Sequence, residues 1–109
     1  MDLIKNLEKT VPFTVADQVQ YENGKVVSLT LAQQPNAGMT LFAFDAGEAI
    51  STHAAGGDAM AFVLEGEAEI TIDGNPNRVT GGHAIILPCG IPHAVKAITQ
   101  FKMLLVLIK

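Results

Sequence analysis

The sequence is short of charge and of cysteine, and each shortage excludes a class of protein. Only 17% of its 109 residues are charged, with a net charge of −4. Lysine and arginine form no cluster, so we expect no nucleic-acid partner. Cys89 is the single cysteine, which excludes an intramolecular disulfide framework and agrees with the reducing environment of the cytoplasm.

Long hydrophobic runs are also absent, although hydrophobic residues make up 49% of the chain. The longest apolar run, from Met103 to Ile108, is far shorter than the roughly 20 residues that a membrane helix needs. The first residues lack the basic and then apolar pattern of a secretory signal. We therefore expect one well-buried cytoplasmic domain over residues 1–109, without a membrane partner.

The hydrophobic pattern predicts a short N-terminal helix followed by β-strands. Leu3, Ile4 and Leu7 fall on one helical face, enough for about two turns within residues 1–12. Beyond Pro12 the apolar residues alternate with polar ones in short stretches that end at Gly, Pro, Asn or Asp. This pattern predicts an all-β sandwich or barrel.

Two glycine-bounded motifs resemble those of small single-domain cupins (the conserved-barrel, RmlC-like type). The first family motif is a glycine, five residues, His-x-His, three or four residues, a glutamate, six residues and a glycine. The second is a glycine, five residues, Pro-x-Gly, two residues, a histidine, three residues and an asparagine. The resemblance implies a double-stranded β-helix, a jelly-roll-like barrel whose motif-bearing core covers residues 39–109.

The two motifs match this sequence only in part. The matching residues are Gly47, His53, Gly66, Gly82, Pro88, Gly90 and His93. The second histidine and the glutamate of the first motif fall on Ala55 and Ala59, and the last position of the second motif falls on Ala97. In the family the histidines and the glutamate surround a divalent transition metal such as Mn, Fe, Ni, Cu or Zn. The resemblance therefore implies a metal site reduced to His53 and His93, fewer than the roughly three protein ligands of a stable site.

Asp58 is the candidate replacement for the missing glutamate, because it stands next to the vacant position. With regular strand alternation its side chain points away from the barrel, where it would hydrogen-bond a turn. A one-residue β-bulge in the glycine-rich stretch before it would turn the carboxylate inward as a metal ligand. Both interpretations stay open from the sequence alone. A soft Cu(I) site of Cys89 with methionines is disfavoured, since no spacing brings those residues together.

The strand after His53 predicts a pocket with small side chains, because alternate residues of a strand face opposite sides. The predicted pocket residues are His53, Ala55, Ala59, Ala61, Val63 and His93. The opposite row of Met60, Phe62 and Leu64 would leave apolar surface exposed on a monomer. We therefore expect a homodimer packed sheet against sheet, with the N-terminal segment helping to cover an edge.

Three functions agree with these residues. The first is metal-independent binding of a small molecule, such as a carboxylate, sugar or aromatic compound, in a pocket lined by His53 and His93. The second is a metal-dependent enzyme of the dioxygenase or isomerase type, and the third is a non-catalytic scaffold or regulatory cupin. The alanines at positions 55 and 59 favour the first over the second. Whether the protein is an enzyme is left open by the sequence.

Overall fold

The regular structure of the protein consists of β-strands and one short 3-10 helix, as described by a computed structural model for residues 2–109. The 3-10 helix spans Val15–Gln18 and precedes the strands. In chain order the strands are β1 (Val26–Gln34), β2 (Ala37–Phe44), β3 (Ala49–His53), β4 (Asp58–Glu65), β5 (Glu67–Ile72), β6 (Asn75–Thr80), β7 (Ala84–Leu87), β8 (His93–Ala97) and β9 (Phe101–Ile108). Within residues 2–109 no helix has the length and apolar character needed to span a membrane.

The strands form two antiparallel sheets. The five-stranded sheet has the order β1-β2-β9-β4-β7, and the four-stranded sheet has the order β3-β8-β5-β6. From β2 onwards the chain changes sheet at almost every turn, staying in one sheet only between β5 and β6. This is the connectivity of a jelly-roll-like barrel, and the predicted fold class is confirmed.

The apolar core lies between the two sheets and is built around stacked aromatic rings. The ring centroids of Phe44 and Phe101 are 4.5 Å apart, and both side chains are fully buried. Small residues of β4 pack against them, among them Ala61 and Val63, which are also fully buried. The face of β4 predicted from the sequence to point into the barrel is therefore the face that does so.

The helix predicted within residues 1–12 is not formed in residues 2–12, the part of that segment which the structure describes. Asn6 and Thr10 adopt positive φ angles of 65° and 66°. Such angles interrupt a right-handed helix, because they belong to the left-handed region. The helical element of the N-terminal region is instead the 3-10 turn at Val15–Gln18.

The N-terminal segment covers one edge and part of the outer face of the five-stranded sheet. The backbone N–H of Lys5 donates to the carbonyl of Leu31 at 2.7 Å, where β1 carries an irregularity in its pairing with β2. Leu7, Val15 and Val19 pack with the outward residues of β1 and β2. An edge strand that would otherwise expose unpaired backbone groups is thereby protected.

A buried lysine fixes the N-terminal segment to the same face. Lys102 of β9 is 5% exposed, and its Nζ donates to the carbonyl of Ala16 at 2.7 Å. The ammonium also lies 4.9 Å from the ring centroid of Tyr21, and the Tyr21 hydroxyl donates to Glu65 Oε2 at 2.7 Å. Burial and the neighbouring Glu65 carboxylate raise the pKa of Tyr21, so this hydroxyl stays protonated.

Candidate functional site

Two histidines from different sequence motifs meet at one end of the barrel. His53 ends β3 and His93 begins β8, and the two residues are direct partners across these antiparallel strands. Their ring centroids are 4.4 Å apart with an interplanar angle of 68°, an edge-to-face contact. The pairing of β3 with β8 is irregular between Ile50 and His53. We call this end of the barrel the histidine end.

Several other strands start or finish at the histidine end. On the five-stranded sheet, the beginning of β4, the end of β9 and the beginning of β2 are in register, since Ala59 pairs with Leu107 and Leu107 pairs with Gly38. Ala59 also pairs with Leu87 at the end of β7. The barrel-facing surface opposite the histidines is therefore a row of small and apolar residues.

Hydrogen bonds at the two Nδ1 atoms determine the tautomers of the neutral rings. His53 Nδ1 lies 3.0 Å from the carbonyl oxygen of Ser51, and His93 Nδ1 lies 3.3 Å from that of Ile91. A carbonyl oxygen can only accept, so Nδ1 must carry the proton in each ring. In the neutral form of each ring, Nε2 then carries a lone pair that is available for a hydrogen-bond donor or a metal ion.

The two rings differ in their exposure to solvent. His93 is 4% exposed, whereas His53 lies at the exposed end of its strand. Burial lowers the pKa of His93 below its ordinary value, the charge on His53 lowers it further, and the Ile91 carbonyl partly opposes this shift. His93 is therefore neutral at physiological pH, with its Nε2 ready to accept a hydrogen bond.

The small residues of the predicted pocket lie at three different places. Ala55 lies in the loop after β3 and is half-buried, with its carbonyl accepting from the Gly90 N–H at 3.0 Å. Ala59 lies on the barrel face at the histidine end, 4% exposed. Ala61 and Val63 lie deeper along β4, packed in the aromatic core. The structure thus brings Ala59 to the end that carries the histidines and places the deeper pair in the interior packing.

Asp58 is engaged with the turn of the second motif. Its Oδ1 accepts a hydrogen bond from the backbone N–H of Cys89 at 2.8 Å. Together with the bond between Ala55 and Gly90, this contact ties the loop that follows His53 to the turn that precedes His93. The carboxylate position is the one expected of a turn-binding Asp on a strand with regular alternation.

The donor set does not fit a permanently bound transition metal. No group of three or more His, Cys, Asp or Glu side chains that could ligate an ion occurs anywhere in residues 2–109. His53 and His93 supply two nitrogen donors, and the positions of the other two family ligands are the alanines 55 and 59. First-row metals in proteins are held by about three or four protein ligands.

The comparisons with known proteins assign the chain to a family. A model of the cupin domain family matches residues 40–109, which include both histidines. The chain belongs to the cupin family. Among solved cupins and related structures, a conserved protein of unknown function from Streptococcus pyogenes is 42% identical with a TM-score of 0.98, and the match covers 100% of this chain and 96% of that one.

Two further solved cupins are similar to this chain. A cupin 2 conserved barrel domain protein from Leptotrichia buccalis is 45% identical with a TM-score of 0.87, over 89% of this chain and 47% of that one. A cupin superfamily protein from Desulfitobacterium hafniense is 30% identical with a TM-score of 0.92, over 96% of each chain. No functionally curated protein matches the chain.

A polar groove at the histidine end of this cupin was not predicted from the sequence. It has a volume of about 270 Å³ and is lined by residues of β1, β2 and the end of β9. The polar residues that line it are Thr30, Gln33, Gln34, Thr40 and Lys109. The alternation of Thr30 with Leu29 and Leu31 in the sequence indicates a polar row on one face of this strand but does not tell which face lines the barrel.

Proposed function

We propose that this cupin binds a small molecule at the histidine end without a permanently bound metal. The observation that supports the proposal most directly is the contact of the His53 and His93 rings, with both Nδ1 atoms bonded to carbonyl oxygens. Two unprotonated Nε2 atoms can then accept hydrogen bonds from hydroxyl or carboxylic-acid groups of a ligand. A ligand carboxylate would require protonation of one ring.

The apolar surroundings support binding of a compact organic molecule at this position. The barrel face opposite the histidines consists of Leu87, Ala59, Leu107 and Gly38 in direct cross-strand register. Small-molecule sites in proteins combine such apolar walls with a few placed polar groups. Ala59 and Gly38 stand on either side of Leu107, so this part of the wall presents one leucine between two small residues.

A metal-dependent dioxygenase or isomerase is the weaker candidate, because two imidazoles fall short of a complete ligand set. Asp58 Oδ1 accepts from the Cys89 N–H, and within residues 2–109 no carboxylate joins the two histidines in a group of three potential ligands. A scaffold without a ligand is disfavoured for another reason. Two histidines held with free Nε2 atoms are not needed to stabilise a barrel whose core is made by Phe44 and Phe101.

Ligand-observed NMR tests the binding proposal with a defined set of small carboxylic acids, sugars and aromatic acids. We expect at least one class to bind the native protein, and the signal to disappear in the His53→Ala and His93→Ala variants. His83→Ala is the matched control, because the third histidine lies away from the pair with its Nδ1 beside Thr80. Binding that persists unchanged in both pair variants would contradict the proposal.

We also propose that two copies associate through the outer face of the five-stranded sheet. On that face Met39, Val106, Met60 and Ile86 form one cross-strand row. Met60 and Ile86 are 36% and 55% exposed, and Ile108 in the same groove is 59% exposed. The N-terminal segment covers the other half of the face, so the exposed half remains for a partner.

The N-terminal segment extends this apolar surface. Ile4, Val11 and Phe13 are exposed and line a cavity of about 650 Å³ together with Met39. Met39 pairs directly with Val106, so the cavity and the exposed sheet are continuous. Together they expose apolar surface on the order of several hundred Å², comparable with the roughly 800 Å² that each partner buries in a standard interface.

The exposed, unpaired Cys89 agrees with a cytoplasmic location, which we propose as well.

A further inference from the structure

We propose that the polar groove on the β1–β2 hairpin is a second part of the ligand site and takes the hydroxyl-bearing portion of a neutral or anionic polyol. The inference deepens the proposed function, because it rests on ligand binding at the histidine end and names the ligand class. The groove is lined by residues of β1, β2 and the end of β9, among them Thr30, Gln33, Gly38, Thr40, Leu107 and Lys109. Neither histidine is among them.

The strand register places the groove at the same end of the barrel as the histidines. Leu107 lines the groove and pairs with Gly38 on one side and with Ala59 on the other. Gln33 pairs with Gly38. A single barrel-facing row therefore leads from Ala59, opposite the histidine pair, to the polar side chain of Gln33.

The groove opens on the barrel side of the sheet and not on its apolar outer face. Leu107 belongs to the barrel core cluster, as does Phe42 of β2. Thr40 and Gly38 lie on the same side of β2 as Phe42, because alternate residues of a strand share a face. Met39 and Leu41 point the other way, into the cluster beneath the N-terminal segment. A ligand in the groove is thus on the histidine side of the sheet.

The side chains of the groove define which ligand groups fit. Threonine hydroxyls and glutamine amides both donate and accept hydrogen bonds, which matches a ligand hydroxyl that also does both. Lys109 adds one cationic donor, and no carboxylate side chain lines the groove. Neutral and anionic polyols are therefore favoured and cationic ones disfavoured.

The size of the groove agrees with a ligand of a few carbons. A volume of about 270 Å³ corresponds to roughly nine water molecules at the volume each occupies in the liquid. A Cβ atom added at Gly38 would make only ordinary contacts, 3.8 Å from the Ala32 carbonyl oxygen and from Leu107 Cβ. A methyl group at Gly38 would therefore fit in the groove in ordinary van der Waals contact with its neighbours.

Three six-carbon probes that differ in charge test the inference: sorbitol, gluconate and glucamine. We expect sorbitol or gluconate, at up to roughly 50 mM in keeping with millimolar affinity, to shift the side-chain amide NMR signals of Gln33 and Gln34. Glucamine, which carries an ammonium, should bind at least about fivefold more weakly. Binding of both favoured probes indicates that hydroxyls suffice. If only gluconate binds and its binding is lost in Lys109→Met, the negative charge of the ligand is needed. Either result supports the inference.

Variants at single threonines provide the matched comparison. Thr40→Val removes one hydroxyl and preserves side-chain shape, and it should weaken binding by about three- to tenfold. Thr71→Val on the four-stranded sheet is the control and should leave the affinity unchanged. The inference is overturned if no probe shifts the glutamine amides, if glucamine binds as well as sorbitol, or if Thr40→Val binds like the native protein.

The outcome also separates this inference from the proposed function. If a ligand shifts the ring signals of His53 and His93 but not the glutamine amides, the histidine site stands and the groove is rejected. If polyols shift the glutamine amides equally in a variant carrying both His53→Ala and His93→Ala, the groove binds alone. The claim that the groove belongs to one site with the histidines then fails, whereas the proposed function fails only if no ligand shifts the ring signals of His53 and His93.

Discussion

His53 and His93 are direct cross-strand partners, and their rings make an edge-to-face contact at 4.4 Å. The contact joins the two motifs that define this part of the chain, and it occurs where β3 ends and β8 begins. Both rings bond through Nδ1 to the carbonyl two residues earlier in their own chain segment. The backbone therefore sets the tautomer and the orientation of each ring before any ligand arrives.

The first prediction concerns the stability of the fold at mildly acidic pH. The pKa of His93 is lower in the folded protein than its ordinary value of 6.5, so below that value the unfolded chain binds more protons than the folded one. Folding stability should therefore be fully present above pH 6.5 and decrease as the pH falls through 6.5 toward the lowered pKa. Thermal melts at closely spaced pH values measure the effect.

The His93→Gln variant shows whether His93 causes that dependence. The variant should melt with a flatter pH profile across the same window, because its side chain does not titrate. His83→Gln is the control and should retain the native slope. A His93→Gln profile as steep as that of the native protein would rule out His93 as the source.

The second prediction compares two glycines with nearly the same backbone conformation. Gly66 has φ of 79° and Gly74 has φ of 80°, so alanine at either position costs about 1–2 kcal/mol in backbone strain. A Cβ at Gly74 would meet nothing within 4 Å, whereas at Gly66 it would overlap the backbone of Gln100 and Phe101. Gly66→Ala should therefore lower the free energy of unfolding by at least about 3 kcal/mol.

Urea denaturation of both variants measures this difference. The soluble yield of Gly66→Ala provides a second measurement if that variant folds poorly, with Gly74→Ala expressed in parallel. Equal midpoints for the two variants would show that the close approach of β4–β5 to Gln100 is absent in solution. The difference also explains why the first motif ends in glycine at position 66.

The third prediction separates the turn-binding role of Asp58 from a metal-binding one. Asp58→Asn keeps an oxygen that can accept from the Cys89 N–H, whereas Asp58→Ala removes it. The asparagine variant should match the native stability, and the alanine variant should lose about 0.5–1.5 kcal/mol. Denaturation midpoints and hydrogen exchange of the Cys89 amide report both effects. A metal bound stoichiometrically by the native protein and lost in Asp58→Asn would contradict the turn-binding role.

The fourth prediction concerns self-association. Met60→Lys and Ile86→Lys each place a charge in the exposed apolar row of the five-stranded sheet, and burying that charge in an interface is costly. Size-exclusion chromatography with light scattering should give a dimer for the native protein at micromolar concentration and a monomer for either variant. Thr52→Lys, on the exposed face of β3, is the control and should remain dimeric. A native monomer would refute the association.

The fold was predictable from the sequence because its determinants are local. Short alternating strands that end at glycine, proline or Asn/Asp turns predict an all-β sandwich or barrel without any tertiary information, and the resemblance of the two motifs to those of cupins predicts the jelly-roll-like barrel. The Asp73-Gly74 turn between β5 and β6 is one example, since both residues adopt positive φ. The N-terminal helix was not predictable in this way, because the positive φ of Asn6 and Thr10 accompanies the docking of that segment on the sheet.

The candidate site was predictable only where the motifs specify it. The spacing of glycines and proline suggested that His53 and His93 share a pocket, and the structure brings them into contact. The polar groove was not predictable, because it depends on the register that pairs Gln33 with Gly38 after the irregularity at Leu31. An irregularity of this kind changes which residues share a face, and the alternating pattern of the sequence does not reveal it.

The most direct test of the central claim is a long-range ¹H–¹⁵N NMR spectrum of histidine-labelled protein at pH 7.5, purified without chelator and recorded before and after EDTA. His93 should appear as a neutral Nδ1–H tautomer with a free Nε2, neither ring should show the Nε2 shift of a metal ligand, the two rings should show cross-relaxation, and EDTA should change nothing. Nε2 shifts typical of metal ligation that disappear with EDTA, or rings without mutual cross-relaxation, would contradict a metal-free histidine pair as the binding site.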